Sequence, residues 1–278
     1  MDIWKTFKFE LKFRSNVQNL FKDVIYLKKE DRISYLLDIL SSNPSIHIHK
    51  LQQLVDSSVS TLRRDLIELE TNGIIKRSFG LVTLLRKDNI EYTASFRSTQ
   101  HPNEKRKICR LASDLIFDND SVFIDSSTTN KYIIQNLTDR EKVNVITNNI
   151  YIAMQGHNQK NIRVFLAGGF LRPYSETVLG SEALEYLSQF HPRLSLISCS
   201  SINENGVFMA DIRQAHCKKK MIENADLSVL LVDHSKFKVK SDFIKLCSLE
   251  DFDYLITDKK PDDKFVNLLK KNKVKLIY

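Results

Sequence analysis

Cysteine is scarce in this chain and never paired at short spacing. The four cysteines, Cys109, Cys199, Cys217 and Cys247, lie far apart. Without a C-x-x-C pair there is neither a zinc knuckle nor a dithiol redox motif, and a reducing compartment is expected. Long hydrophobic runs are missing too: no apolar stretch approaches the ~18–20 residues a membrane span needs. Nor does the N-terminus read as a secretory signal, because Lys5, Lys8, Glu10, Lys12 and Arg14 interrupt any apolar core. Internal repeats and low-complexity tracts are absent. The expectation is a cytoplasmic protein with no membrane partner.

What is present is enough for two cores. A chain of 278 residues is long for one hydrophobic core and comfortable for two. Hydrophobic content of 42% and charged content of 27% are ordinary for a folded domain. A net charge of +8 is compatible with a polyanionic partner without establishing one.

The most informative stretch is 57–73, SSVSTLRRDLIELETNG. Val59, Leu62, Leu66 and Leu69 recur at helical spacing and form one apolar stripe. Ser58 suits the N-cap, and Gly73 suits a left-handed C-terminal stop. Ser60, Thr61, Arg63 and Arg64 crowd into the first two turns. Hydroxyls and guanidiniums near a helix N-terminus suit the DNA major groove, with Ser60, Thr61 and Arg64 at base edges or phosphates and Ser58 counted with them in the DNA-binding set. Arg63 and Arg77 are placed to grip the backbone. The competing reading is a surface helix with charge pairs such as Arg64–Glu68.

The flanking signals favour DNA. Residues 31–40 form a helix with Ile33, Leu36, Leu37 and Leu40 on one face, ended by Ser41-Ser42-Asn43-Pro44. A short extended piece carries Ile46 and Ile48. A second helix, 49–55, turns Leu51, Leu54 and Val55 inward. Residues 74–77 and 81–85 read as two strands around a Ser78-Phe79-Gly80 turn. Three helices and a hairpin over 28–85 make a winged helix-turn-helix. Residues 1–27 are read as an extension outside this fold, and 86–103, polar and unperiodic, as a linker.

From 104 to 278 strands and helices alternate. Strands are expected at 121–125, 143–147, 163–166, 194–198, 227–232, 254–257 and 274–278. Helices are expected at 104–117, 130–137, 149–157, 181–190, 211–225 and 265–271. This is the pattern of an α/β domain with a largely parallel sheet covered on both faces. Ser126-Ser127-Thr128-Thr129 follows a strand end, where hydroxyls and backbone N–H groups can cradle a phosphate; an ordinary capped turn reads equally well from the residues alone. Thr147-Asn148 and Gly168-Gly169 close two further strands, and Asp233 to Phe237 closes the most apolar one. Strand C-termini of an open parallel sheet converge on one crevice. There Asp125 and Asn148 can bond hydroxyls and Lys236 can pair with phosphate; the bland reading makes the aspartates loop caps. His47 and His49 share a face but make no metal site, His216-Cys217 has no third partner, and Lys218-Lys219-Lys220 reads as a solvated face or an oligomer contact. No metal or cofactor is expected.

The string Ser58-x-x-Thr61-Leu62-Arg63-Arg64-Asp65-Leu66, followed by Leu69-Glu70-x-x-Gly73-Ile74-Ile75-x-Arg77, resembles the DNA-binding domain of the DeoR family of bacterial sugar-operon regulators. The resemblance runs on through Thr128-Thr129, Thr147-Asn148, Gly168-Gly169 and Asp233-x-Ser235-Lys236-Phe237, about 250 residues in all. Two departures stand out. Ser78-Phe79-Gly80 replaces the usual His-Gly-Gly of the wing, and Ser127 replaces the glycine of Gly-Thr-Thr. The resemblance implies a sensor domain with a sugar-phosphate isomerase or CoA-transferase-like fold. It implies an effector site drawn from Asp125, Ser127, Thr128, Thr129, Thr147, Asn148, Gly168, Gly169 and Lys236. It also implies a repressor of a sugar-catabolism operon, with no enzyme activity, that binds double-stranded operator DNA and a phosphorylated sugar as a homodimer or homotetramer. The alternatives are an enzyme of the same fold using Asp125 as base, and a DNA-binding activator with no small ligand.

Overall fold

The computed structural model describes residues 29–55, 57–71, 73–85, 94–172, 175–237 and 241–278. The expected extension at 1–27 lies outside them. The chain divides into two units, Met1–Leu85 and Arg86–Tyr278.

The first unit holds α1 (Lys29–Ser42), β1 (Ser45–His47), α2 (Ile48–Leu54), α3 (Val59–Thr71), β2 (Ile75–Ser78) and β3 (Leu81–Leu84). The strands form an antiparallel sheet in the order β1-β3-β2. Ile33, Leu36, Leu37 and Leu40 of α1, Leu62, Leu66 and Leu69 of α3, and Leu51, Ile75 and Val82 are all buried. Two residues expected in that interior are outside it: Leu54 is 42% and Val59 62% exposed. Each sits at a helix end, where the stripe has already rotated away from the core.

Ser58 caps α3, accepting the Thr61 N–H at 3.1 Å. Gly73 ends it at φ +67, with Gly73 N–H bonded to Glu70 O and Ile74 N–H to Leu69 O, the Schellman pattern. Asp65, on the buried face of α3, takes a bidentate pair from Arg32 of α1 (2.5 and 3.0 Å). The wing between β2 and β3 is a two-residue turn, Phe79-Gly80, with both φ positive (50° and 78°). That geometry matches the twist of a hairpin, although Phe is an unusual residue for it.

In the second unit the expected linker contains α4 (Ala94–Thr99), and His101 starts α5 (Pro102–Ser113). The seven-stranded sheet runs β15-β14-β12-β9-β4-β5-β6, all neighbours parallel. Its strands are β4 (Ser121–Ile124), β5 (Val143–Thr147), β6 (Ile162–Leu166), β9 (Leu194–Ile197), β12 (Leu227–Val232), β14 (Tyr254–Thr257) and β15 (Lys275–Ile277). Burial on both faces follows from alternation. Val122, Ile124, Leu194, Leu196, Val229 and Leu231 enter one apolar cluster; Phe123, Ile197, Leu230 and Val232 enter the other. Helices α5, α6 (Ile150–His157), α7 (Ser181–Ser188), α8 (Ile212–Glu223) and α9 (Asp263–Lys271) accompany the strands.

Three features depart from expectation. Residues 130–137 form two 3₁₀ turns, Asn130–Tyr132 and Ile134–Asn136, rather than one helix. The Asn130 side chain is tied to Asp125 and to Leu196 O, both at 2.8 Å, so the segment follows the strand ends. A hairpin of β7 (Phe170–Leu171) and β8 (Val178–Leu179) follows β6, and β10 (Ser201–Asn203), β11 (Gly206–Met209) and β13 (Ile244–Cys247) form a second antiparallel sheet. No described helix is long and apolar enough to cross a membrane.

Candidate functional site

On α3, Leu62, Asp65, Leu66 and Leu69 face the interior. Ser60, Arg63, Arg64 and Ile67 therefore make the outward face, and all four are exposed. The Ser58 hydroxyl lies 2.9 Å from that of Ser60 and 2.8 Å from that of Thr61, a hydroxyl cluster over the helix N-terminus. Arg63 and Arg64 have no hydrogen bond or ion pair among the described residues. Glu68 pairs with Lys29 at 2.7 Å and not with Arg64. Arg77 is engaged: its N–H and its Nε each donate to Glu70 at 2.8 Å. These bonds hold the Glu70 carboxyl below its ordinary pKa. Arg77 thus links the end of α3 to the wing.

The second site lies where the chain reverses direction across the sheet. From β4 it proceeds outward to β5 and β6; it then crosses to β9 and continues through β12, β14 and β15. The C-terminal ends of β4 and β9 flank the switch point, where open α/β sheets bind ligands. Asp125, fully buried, stands there with both oxygens occupied. Oδ1 accepts Ser127 N–H (2.8 Å) and the Asn130 amide; Oδ2 accepts Ser198 N–H (2.7 Å) and the ammonium of Lys218. Four donors use the acceptor capacity of a carboxylate. Asp125 positions the loop after β4 rather than offering an oxygen to a ligand.

Lys218 was expected on a solvated face or at an oligomer contact, yet it is 2% exposed and also donates to Ser198 O at 2.9 Å. The buried side of α8 runs Gln214, Ala215, Cys217, Lys218, Met221. The i, i+4, i+7 spacing of 214, 218 and 221 was the available signal, hidden by two further lysines.

Ser127, at the family's glycine position, does not have a positive φ, so nothing there requires glycine. Its hydroxyl accepts the Asn130 N–H at 3.2 Å. Thr128 Oγ1 accepts from Lys105 Nζ (3.2 Å), which also donates to Arg97 O. Thr129 Oγ1 accepts from the Ser198 hydroxyl at 3.3 Å. The backbone N–H groups of Thr128 and Thr129 have no partner among the described residues.

Lys105, which the sequence reading did not single out, is the centre of the cradle. Burial, and then the charge of Lys236, push its pKa down to about 7, with Arg97 and Lys131 adding to the repulsion. Asp233 is the opposing charge. Burial pushes the Asp233 carboxyl up, but Lys236, the Ser235 hydroxyl, Lys105 and His101 more than offset this and hold it below its usual range. One Asp233 oxygen, Oδ2, is buried without a hydrogen-bond partner.

The remaining predicted residues line the other side. Thr147 Oγ1 accepts Asn149 N–H at 3.1 Å. Asn148 is pinned to Val178 through its Nδ2 (3.0 Å) and its backbone carbonyl (2.8 Å), leaving Oδ1 buried and unpartnered. Gly168 has open space where a Cβ would stand; at Gly169 (φ +135) a Cβ would meet Leu179 O at 2.7 Å. The structure therefore brings Thr128 and Lys236 together around Lys105 and Asp233. Thr147, Asn148, Gly168 and Gly169 form a neighbouring group held to the β7–β8 hairpin. An open depression of about 490 Å³, lined by Lys142, Lys160 and Arg163 among others, lies at the opposite, N-terminal ends of β5 and β6.

A winged helix-turn-helix with an unencumbered recognition face, in a chain that also carries a cation-lined crevice at a sheet switch point, defines a ligand-responsive DNA-binding regulator. Residues 32–88 match the DeoR-like helix-turn-helix domain and residues 100–259 the DeoR C terminal sensor domain; the chain belongs to the DeoR family of transcriptional regulators. It is 34% identical over 249 residues to the HTH-type transcriptional repressor GlcR of Bacillus subtilis (strain 168), covering 90% of this chain and 96% of that one. It is 26% identical over 251 residues to the glycerol-3-phosphate regulon repressor of Escherichia coli (strain K12), covering 90% and 99%. Among solved structures it is similar to ribose 5-phosphate isomerase A from Methanocaldococcus jannaschii, at 17% identity and a TM-score of 0.39, over 51% of this chain and 56% of that one.

Proposed function

We propose that this protein represses a sugar-utilisation operon and that a phosphorylated sugar, bound at the C-terminal ends of β4 and β12, changes its affinity for operator DNA. The observation that carries the effector reading is the convergence of Lys105, Lys236 and Thr128 beside two unused backbone N–H groups. The buried Lys105, crowded by the charges of Lys236, Arg97 and Lys131, suits an anion, and hydroxyls with free amides suit phosphate oxygens. Asn148 Oδ1 and Asp233 Oδ2 are unpaired acceptors for sugar hydroxyls. The names of the relatives support the same reading: two are repressors, one of a glycerol-3-phosphate regulon.

On the DNA side, Ser60, Thr61, Arg63 and Arg64 enter the major groove. Ser58 and Arg77 act behind them, as a cap and as a brace. One winged domain makes few base contacts, so the protein acts as a homodimer or homotetramer on a repeated or palindromic operator. The effector must bind one arrangement better than the other, since equal affinity shifts nothing.

The test is binding of the full chain to DNA from its own upstream region, followed by anisotropy and titrated with a panel of sugar phosphates, the parent sugars and inorganic phosphate. One phosphorylated sugar is expected to shift affinity by roughly 5–150-fold, the usual range of allosteric coupling. Lys105→Met should abolish the shift and retain DNA binding. If no phosphorylated sugar shifts an otherwise specific DNA complex, the effector reading fails. Turnover of a sugar phosphate by the pure protein would overturn the regulator-only reading.

A further inference from the structure

We propose that His101, Glu104 and His234 form a site for a transition-metal dication of the zinc class. Two of these residues start α5 and the third follows β12, so no sequence spacing links them. In the fold, one donor atom from each lies within 4.8 Å of the other two. His101 is the N-cap residue of α5, and Glu104 lies in its first turn. His101 holds a left-handed backbone (φ 52°, ψ 48°) and makes no cap hydrogen bond. Its ring instead meets that of His234 edge-on, centroids 5.0 Å apart.

The His234 ring is oriented from behind. Its Nδ1 lies 2.8 Å from Asp258 Oδ2, while Asp258 Oδ1 accepts the His234 backbone N–H at 2.7 Å. The carboxylate places the proton on Nδ1 and leaves the Nε2 lone pair for a metal, the usual carboxylate–histidine–metal arrangement. Asp258 is buried and fixed; His101, Glu104 and His234 are half-buried and open to solvent ions. Neither the His101 nor the Glu104 side chain has a hydrogen bond or ion pair among the described residues. Two imidazoles and a carboxylate, with one position left open, are a familiar zinc set. Bonds of ~2.0–2.1 Å require donors roughly 3.4 Å apart, so the three must close by about 1 Å or a little more. Side-chain rotation at three half-exposed residues supplies that. Lys105 and Lys236 stand nearby, with Arg97 and Lys131 around Lys105, and oppose a cation; Asp233 and Asp258, added to the Glu104 carboxylate, offset part of that charge.

The experiment uses full-length protein dialysed against a chelator, in thiol-free buffer, titrated with Zn²⁺ by calorimetry and with Co²⁺ by absorption. One equivalent per chain is expected, with the visible bands of a tetrahedral Co²⁺ site. His101→Gln, Glu104→Gln and His234→Gln should each weaken binding more than tenfold, and Asp258→Asn by ~10–100-fold, the range for partners of a ligating histidine. His47→Gln/His49→Gln should change nothing. Melting of each variant without metal reports folding. Should His234→Gln or Asp258→Asn unfold, His101→Gln and Glu104→Gln decide, because neither removes a hydrogen bond from the fold. Absence of stoichiometric binding, or binding that survives both of those substitutions, overturns the proposal.

Discussion

The two units hold their functional residues in opposite ways. On α3 Ser60, Arg63 and Arg64 are exposed; Arg63 and Arg64 have no partner among the described residues, and the buried face belongs to Leu62, Asp65, Leu66 and Leu69. In the crevice the hydroxyl, amide and carboxylate candidates, Asp125, Ser127, Thr128, Thr129, Thr147 and Asn148, are buried and hydrogen-bonded to neighbouring segments, while Lys236 is half-buried and Gly168 and Gly169 are exposed. A groove reader must leave its donors free for a rigid partner. A sensor must exclude water and preset the shape of a small ligand, so its polar groups are built into the interior. Substitution should therefore separate function from stability in the first unit and confound them in the second.

The largest effect should come from the Asp125–Lys218 pair. Both members are buried, and Asp125 joins the loop after β4 both to the end of β9 and to α8. Removing one partner strands a buried charge, which typically costs about 3–5 kcal/mol. Lys218→Met should lose that much in urea unfolding. Lys218→Met with Asp125→Asn should recover part of it, since the second change removes the uncompensated charge. A single Lys218→Met variant as stable as the parent would show that crevice residues can be altered without touching the fold, and the contrast between the units would collapse.

Arg63→Ala and Arg64→Ala should do the reverse. Exposed, and unpaired among the described residues, each should leave the melting temperature unchanged while weakening operator binding. A lost base contact costs about 1–3 kcal/mol of discrimination, and a lost phosphate contact lowers the salt slope by about one. Arg77→Ala is the informative control. Because Arg77 is bonded to Glu70, its loss should lower stability as well as affinity. Undiminished binding in both Arg63→Ala and Arg64→Ala would remove α3 from the groove.

How much of this could be read without coordinates depends on the range of the interaction. The α3 cap, its Gly73 stop and the alternation of the central strands are local, and all were legible. So was the crevice as a place, since it follows from parallel strand order. What was not legible is carried by long-range pairs. Asp125 looked like a ligand contact because Lys218 lies far along the chain inside a lysine run. Asp65 gave no hint of Arg32. Lys105 reads as one more charge on α5 until Thr128 is folded against it. The β10-β11-β13 sheet was missed for a related reason: its strands are short and its third member comes from beyond α8.

The smallest expected effect tests whether the first unit is as free of structural compromise as the comparison implies. Phe79 is fully exposed at the wing tip and sits at φ 50°, a conformation that costs a non-glycine residue about 1–2 kcal/mol. It packs against nothing that would offset this. Phe79→Gly relieves the strain and adds roughly 0.5–1 kcal/mol of unfolded-state entropy, for a net gain near 0.5 kcal/mol. A slightly higher melting temperature is therefore expected. If the aromatic is kept for DNA, where apolar side chains at a minor groove can wedge between base steps, the same variant should bind operator several-fold more weakly. Greater stability with unchanged affinity would mean that the wing tip does not reach DNA, and that the departure from His-Gly-Gly has no bearing on recognition.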